Sequence, residues 1–189
     1  MSKFLVQGRV PLKGTVKVGG SKNAALPILA ATLLATEPVT LRNVPDISDV
    51  HAFLKILSSL GAEVSFNQGI VTVNPTRLEP TQIDAHLVKH MRASILLLGP
   101  LLGRFGEVGL AYPGGCVLGK RSVHAHVHAL SAFGAQLIES EEEIRLTSRT
   151  LKPAKLIMAE ASGTATENAV MAAVSIPGTT EIRWAAMEP

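Results

Sequence analysis

The sequence has few of the features that define several protein classes. It contains one cysteine, Cys116, which cannot form an intramolecular disulfide, so the fold needs no oxidising compartment. Only 17% of the 189 residues are charged and 4% are aromatic, and no five-residue basic run occurs, so nucleic acid is not an expected partner. The longest apolar stretch, residues 95–102, is too short to cross a bilayer, and we expect no secretory signal. A cytoplasmic protein without a membrane partner is expected.

The sequence is rich in apolar residues, which make up 47% of the chain. This fraction allows a sizeable core, and together with a net charge of only +3 it excludes disorder. Such a modest positive excess fits a small anionic substrate better than a large polyanion.

An order of helix, strand, helix and hairpin occurs twice along the chain and begins a third time. The first unit is predicted as a helix at 24–35, a strand at 39–41, a helix at 49–60 and strands at 62–66 and 70–73. The second is predicted as a helix at 87–102, a strand at 107–111, a helix at 122–133 and strands at 136–139 and 143–147. The third has a strand at 155–159, a helix at 166–174 and a strand at 179–183. The pattern predicts an α/β fold of repeated units.

The third unit lacks its second helix and its hairpin. Because half a repeat cannot bury its apolar faces, we expect the natural polypeptide to continue beyond Pro189. The alternative is a domain that ends there with an irregular cap.

Three segments carry candidate chemistry. The first is the glycine loop 18–23 between a predicted strand at 15–18 and the first helix. With Asn23 as N-cap, the helix start and the Lys22 ammonium converge where a phosphate or carboxylate could bind. The alternative is a glycine turn with a solvated lysine.

The second segment is the loop 112–121, which contains Cys116. A loop this rich in glycine is poorly suited to burying a thiol, Lys120 and Arg121 favour the thiolate, and the length is typical of a lid. The alternative is a buried core cysteine.

In the third segment, 89–94, Arg92 either clamps a phosphate or covers the helix surface. His124 and His128 have metal-ligand spacing but no evident third ligand, so no metal site is predicted.

The motifs Ser-Lys-Asn-Ala-Ala-Leu-Pro at 21–27, Met-Arg-Ala-Ser at 91–94 and the cysteine loop at 113–121 occur together in this order. Together they resemble the UDP-N-acetylglucosamine 1-carboxyvinyltransferases, the enolpyruvyl transferases that begin peptidoglycan precursor synthesis. The resemblance covers the whole chain but slightly less than half of a family member. It implies an inside-out α/β barrel with a truncated third unit. Residues 1–20 would be strands packing with a missing C-terminal domain, and 21–189 an incomplete domain.

The resemblance also implies an activity: transfer of enolpyruvyl from phosphoenolpyruvate to the 3′-hydroxyl of UDP-N-acetylglucosamine, with release of phosphate and no cofactor. Cys116 would be the catalytic proton donor, Lys22 and Asn23 would face phosphoenolpyruvate, and Arg92 would contact the sugar nucleotide. Arg121 would hold the phosphate or the sugar nucleotide. The other implied substrate-binding residues are Ser122, Val123, His124, Ala125, Glu160, Ala161, Ser162 and Gly163.

Some positions depart from the family pattern. Ser122, His124 and Ala125 stand where the family commonly has proline, aspartate and a larger residue. The stretch at 160–163, which begins with Glu160, is commonly basic or small and followed by glycine, and here Thr164 follows. The base that accepts the sugar hydroxyl proton lies in the missing half, so the chain alone is expected to be inactive. Three alternatives remain open. They are the shikimate-pathway enolpyruvyl transferase, whose pattern lacks the cysteine loop, a non-catalytic sugar-nucleotide-binding relative, and a structural fragment.

Overall fold

The chain has an α/β fold. The computed structural model describes residues 3–79, 83–112, 123–138 and 140–186. The α-helices are α1 Lys22–Ala31, α2 Ser48–Ser59, α3 Ala85–Lys89, α4 Leu98–Phe105, α5 His124–Ala132 and α6 Gly163–Val174. The strands are β1 Val39–Leu41, β2 Glu63–Asn67, β3 Ile70–Asn74, β4 Glu107–Ala111, β5 Gln136–Ile138, β6 Glu143–Thr147, β7 Lys155–Ile157 and β8 Glu181–Arg183. None of the helices in these ranges is long and apolar enough to cross a membrane.

The described strands form three separate sheets and no closed barrel. The first has the order β1-β3-β2 and the second β4-β6-β5, and every neighbouring pair in both is antiparallel. The third sheet contains β7 and β8, which are parallel and are connected through α6. The first two sheets therefore share one strand order, and the third is built differently.

The predicted hairpin of the first unit is confirmed. Strands β2 and β3 pair from Glu63↔Asn74 to Asn67↔Ile70, so that Gln68 and Gly69 form a two-residue turn. Their φ angles are 47° and 76°, as a type I′ turn requires, and glycine adopts such a φ without strain.

The helix predicted at residues 49–60 is confirmed as α2, and apolar residues at helical spacing form its buried face. Phe53, Ile56, Leu57 and Leu60 are all completely buried. The helix begins at Ser48 after the extended residue Ile47, one residue earlier than predicted. Its position matters for function because its first turn reaches the cleft described below.

The single helix predicted over residues 87–102 is wrong. The segment consists of α3, a 3₁₀ helix at Arg92–Leu97 and α4, with extended backbone at Met91 between the first two. Pro100, which has no N–H to donate, stands in the first turn of α4, where that N–H has no helical partner. The break makes Arg92 the first residue of a helical segment instead of an interior one.

Helix α4 packs closely on α6 because two of its residues have no side chain. A Cβ at Gly99 would lie 2.4 Å from the backbone oxygen of Asn168, and one at Gly103 would lie 2.8 Å from Oγ of Ser175. The absence of side chains at Gly99 and Gly103 lets α4 lie directly against α6, and this packing helps to orient the first turn of α6.

Arg104, at the end of α4, connects the second unit to the first. Its guanidinium donates to the carbonyl oxygens of Leu33 at 2.6 Å, Ala35 at 2.9 Å and Pro75 at 3.0 Å. Three carbonyls from the first unit are thus satisfied by one side chain of the second, which fixes the two units relative to each other.

The strand predicted at residues 15–18 is not found. Residues 3–20 contain no strand, and Phe4, Leu5 and Leu12 are almost completely exposed. A strand needs a partner for its backbone N–H and C=O groups, and no described strand pairs with this segment.

Candidate functional site

Four helical segments begin around one cleft of about 840 Å³. The first turns of α1, α2, α6 and the 3₁₀ helix Arg92–Leu97 line it, and α5 contributes the side chain of His126. Backbone N–H groups at a helix start have no intrahelical acceptor and carry partial positive charge. Convergence of several such starts makes the cleft suitable for anionic groups.

The start of α1 is set by Ser21 and Gly20. The Ser21 hydroxyl accepts from the N–H of Ala24 at 3.4 Å, so Ser21 is the N-cap and the prediction of Asn23 is wrong. A Cβ at Gly20 would lie 1.8 Å from the carbonyl oxygen of Asn43, so only glycine allows this close approach. Lys22 and Asn23 consequently occupy the first turn, facing the cleft.

The ammonium of Lys22 forms an ion pair with the carboxylate of Asp49. The pair joins the first turns of α1 and α2, and both side chains are about half exposed. Exposed pairs of this kind contribute only about 0–1 kcal/mol to stability, so a bound anion can compete for Lys22 at little cost.

The described lining is not uniformly cationic. It has the cations Lys22 and Arg92, and the carboxylates of Asp49, Glu160 and Glu167. A doubly anionic ligand would therefore need further positive charge from elsewhere. In the described ranges, no group of three or more His, Cys, Asp or Glu side chains is arranged to hold a metal ion.

The cleft brings together seven of the residues predicted from the sequence, namely Lys22, Asn23, Arg92, Glu160, Ala161, Ser162 and Gly163. Three others do not line it, namely Val123, His124 and Ala125. Ala125 is buried, and the His124 ring stacks on that of His128 with centroids 6.1 Å apart. The predicted residues Cys116, Arg121 and Ser122 lie outside the described residues.

His126 and Thr164 line the cleft and were not predicted. His126 is only 3% exposed, and burial, together with the nearby Arg92, lowers its pKa from 6.5 to about 4. The ring is therefore neutral near pH 7. The sequence contained a signal for His126. On a helix, residue 126 is rotated by roughly 200° from residue 124, so it faces away from the His124–His128 pair.

Comparison with known proteins connects this geometry to a family. The family described as EPSP synthase (3-phosphoshikimate 1-carboxyvinyltransferase) matches residues 6–189. The chain belongs to this family. Two curated relatives are both named UDP-N-acetylglucosamine 1-carboxyvinyltransferase: one from Acinetobacter guillouiae is 45% identical over 190 residues, and one from Nitratidesulfovibrio vulgaris is 47% identical over 189. The resemblance found in the sequence motifs is thereby confirmed.

Solved structures show that the fold is shared. An enolpyruvyl transferase, NikO from Streptomyces tendae, superposes with a TM-score of 0.76 at 23% identity, and an EPSP synthase from Acinetobacter baumannii with 0.69 at 19%. Both alignments cover 93% of this chain and 41% of the other. The chain matches the two curated relatives over its full length but spans only 45% of theirs.

Proposed function

We propose that the chain is the N-terminal part of an enzyme that transfers enolpyruvyl from phosphoenolpyruvate to the 3′-hydroxyl of UDP-N-acetylglucosamine. The observation that carries the proposal is the convergence of four helix starts, Lys22 and Arg92 on one cleft. Both substrates are anionic, and fixed N–H groups and cations can stabilise the charge that develops on the leaving phosphate. The acceptor is proposed from the curated relatives, which are far more similar to this chain than the solved EPSP synthase is.

The proposed reaction is an addition followed by an elimination. The sugar hydroxyl oxygen bonds to C2 of phosphoenolpyruvate while an acid protonates the methylene carbon. Loss of a proton from that carbon then expels phosphate and restores the double bond. Cys116 is proposed as the acid, and the base that accepts the hydroxyl proton is placed in a C-terminal half outside this chain.

In this proposal the two substrates occupy different parts of the cleft. Lys22 and Asn23 hold phosphoenolpyruvate, and Arg92 with the first turn of α6 holds the sugar nucleotide. Because the lining also contains carboxylates, further cations must contribute to binding. The proposed cations are Lys120 and Arg121, the basic residues nearest to Cys116 in the sequence. We also propose that backbone groups of residues 160–163, in the cleft, contact the nucleotide, and that the nucleotide extends beyond the described cleft lining to backbone groups of residues 122–125.

We propose further that residues 21–189 are an incomplete inside-out α/β barrel domain and that residues 1–20 pair as strands with a C-terminal domain. The shared strand order of the first two sheets and the unpaired segment 3–20, with its exposed apolar side chains, support this arrangement. The chain alone is then expected to release no phosphate from the two substrates. The measurement is a phosphate-release assay on the purified chain beside the chimera defined next.

A chimera tests the proposed function directly. It joins this chain to the part of the Nitratidesulfovibrio vulgaris relative that lies beyond the matched residues. With phosphoenolpyruvate present, the chimera is expected to release phosphate with UDP-N-acetylglucosamine and not with shikimate 3-phosphate. Release with the second acceptor alone would favour the shikimate-pathway alternative, and no release with either acceptor would contradict the proposal.

Lys22→Ala in the chimera is expected to raise the KM for phosphoenolpyruvate about 10- to 100-fold, because a charge-assisted hydrogen bond contributes roughly 1.5–3 kcal/mol. The matched control is Lys55→Ala, which removes an exposed lysine of α2 that does not line the cleft. An unchanged KM in Lys22→Ala would show that Lys22 is a solvated turn residue.

A further inference from the structure

A buried hydrogen-bond network lies directly behind the cleft, centred on Asn168 of α6. The Asn168 side chain is completely buried, and its Oδ1 accepts from the N–H of Gly99 at 2.6 Å. Its Nδ2 donates to the carbonyl oxygen of Ile95 at 2.9 Å. A backbone N–H only donates and a carbonyl only accepts, so these two partners determine which end of the amide is nitrogen.

The orientation of this amide determines where His126 carries its proton. Nδ2 of Asn168 lies 2.8 Å from Nδ1 of His126 and can only donate, so Nδ1 is the acceptor. A neutral imidazole has one N–H, which must then be on Nε2. Nε2 lies 3.3 Å from Oγ1 of Thr164, so the histidine donates and the threonine accepts.

The Thr164 hydroxyl hydrogen is left without an acceptor among the residues that the structure describes. Thr166, two residues later, donates its hydroxyl to the carbonyl oxygen of Ser162 at 2.8 Å. Among the described residues, the only hydrogen-bond partner of the Thr164 hydroxyl is the His126 ring. Thr164 and His126 both line the cleft, as does Arg92, and Thr164 is the second residue of α6.

We propose that Thr164 donates its hydroxyl hydrogen to the diphosphate of the sugar nucleotide, and that His126 and Asn168 are positioning residues that orient this hydroxyl. The inference rests on the proposed function and names one contact within it. The diphosphate is the expected acceptor because Arg92 and the start of α6 attract negative charge to the same place. Reversal of the His126 tautomer would turn the hydroxyl hydrogen toward the ring and remove the contact.

Calorimetric titration of the chimera defined above with UDP-N-acetylglucosamine tests the contact. Thr164→Val keeps the side-chain volume but removes the hydroxyl, and is expected to weaken Kd by about tenfold or more, as expected for a hydrogen bond to a charged group. Thr164→Ser restores the hydroxyl and should restore the affinity. The matched control is Thr180→Val, the same substitution at a threonine that does not line the cleft and whose hydroxyl has no hydrogen-bond partner among the described residues. It should bind as the unaltered chimera does.

The tautomer is tested separately by nitrogen-15 NMR of the His126 ring near pH 7, without ligand. The expected spectrum shows protonated Nε2 and unprotonated Nδ1, and the opposite pattern overturns the inference. Equal Kd values for the unaltered chimera and its Thr164→Val variant also overturn it while leaving the proposed function intact. If the unaltered chimera does not bind UDP-N-acetylglucosamine at all, the proposed function fails and this contact fails with it.

Discussion

Replacing Cys116 by alanine in the chimera is expected to lower the rate of phosphate release by about 10²- to 10⁴-fold, the usual contribution of a positioned general acid. Alanine removes the proposed proton donor to the methylene carbon and leaves the charges of Lys120 and Arg121 in place. The loss should therefore be in kcat, with little change in the KM for either substrate. The measurement is a steady-state phosphate-release assay in which each substrate is varied in turn.

Two controls separate chemistry from a general disturbance of the loop. Val117→Ala shortens the neighbouring side chain and should keep most of the activity. Because the chain has one cysteine, alkylation with iodoacetamide can be followed by mass without ambiguity. Lys120 and Arg121 favour the thiolate, so the reaction near neutral pH should be faster than that of a model thiol. Full activity in Cys116→Ala would overturn the role, and slow alkylation would argue against the activated thiol.

Elements with a strong local signal were predicted well from the sequence. The stripe of α2 follows from apolar residues at helical spacing, and the β2–β3 hairpin follows from the turn at Gln68 and Gly69. In both cases the interactions that decide the structure lie within a few residues of each other. Strand β4, which coincides with its predicted range, is also a short and mostly apolar run.

Elements that depend on distant contacts were predicted less well. The start of α1 depends on the approach of Gly20 to the carbonyl of Asn43, more than twenty residues away. The break at Met91 is followed by a segment that packs on α1 and α6, and apolar periodicity shows no such interruption. Helix propensity and periodicity describe a segment alone and are overridden by such packing.

The residues of the candidate site divide in the same way, into those with a local signal and those that depend on distant contacts. Residues on loops and helix starts, such as Lys22 and Arg92, were found because their motifs are local. Asp49 was missed because its proximity to Lys22 depends on how α1 packs against α2. On α5 the prediction selected His124 and Ala125, whereas the residue that reaches the cleft is His126. The motif resemblance identified the segment, and the rotation of the helix shows which of its side chains lines the cleft.

Asn168→Leu is expected to lower the free energy of unfolding of the chain by at least about 2 kcal/mol, because each buried polar group left without a partner costs roughly 1–3 kcal/mol. Gly99 N–H and His126 Nδ1 lose their partner, whereas the Ile95 carbonyl still accepts from Leu98 N–H. Leucine has a similar size, but it can neither accept from Gly99 N–H nor donate to Ile95 and His126. All three partners lie around a side chain with no solvent exposure, so water cannot replace the lost bonds. Urea unfolding followed by circular dichroism gives the measurement.

The matched control is Asn74→Leu. The Asn74 amide donates to Glu63 at 3.0 Å and accepts from Thr76 N–H at 3.3 Å, and both bonds are exposed. Water can take over both lost bonds, so the free energy of unfolding should change by no more than about 0.5 kcal/mol. A similar small change in Asn168→Leu would mean that the network is not required for packing α4, α5 and α6 together. In that case the orientation of His126, and with it the direction of the Thr164 hydroxyl, would need another explanation.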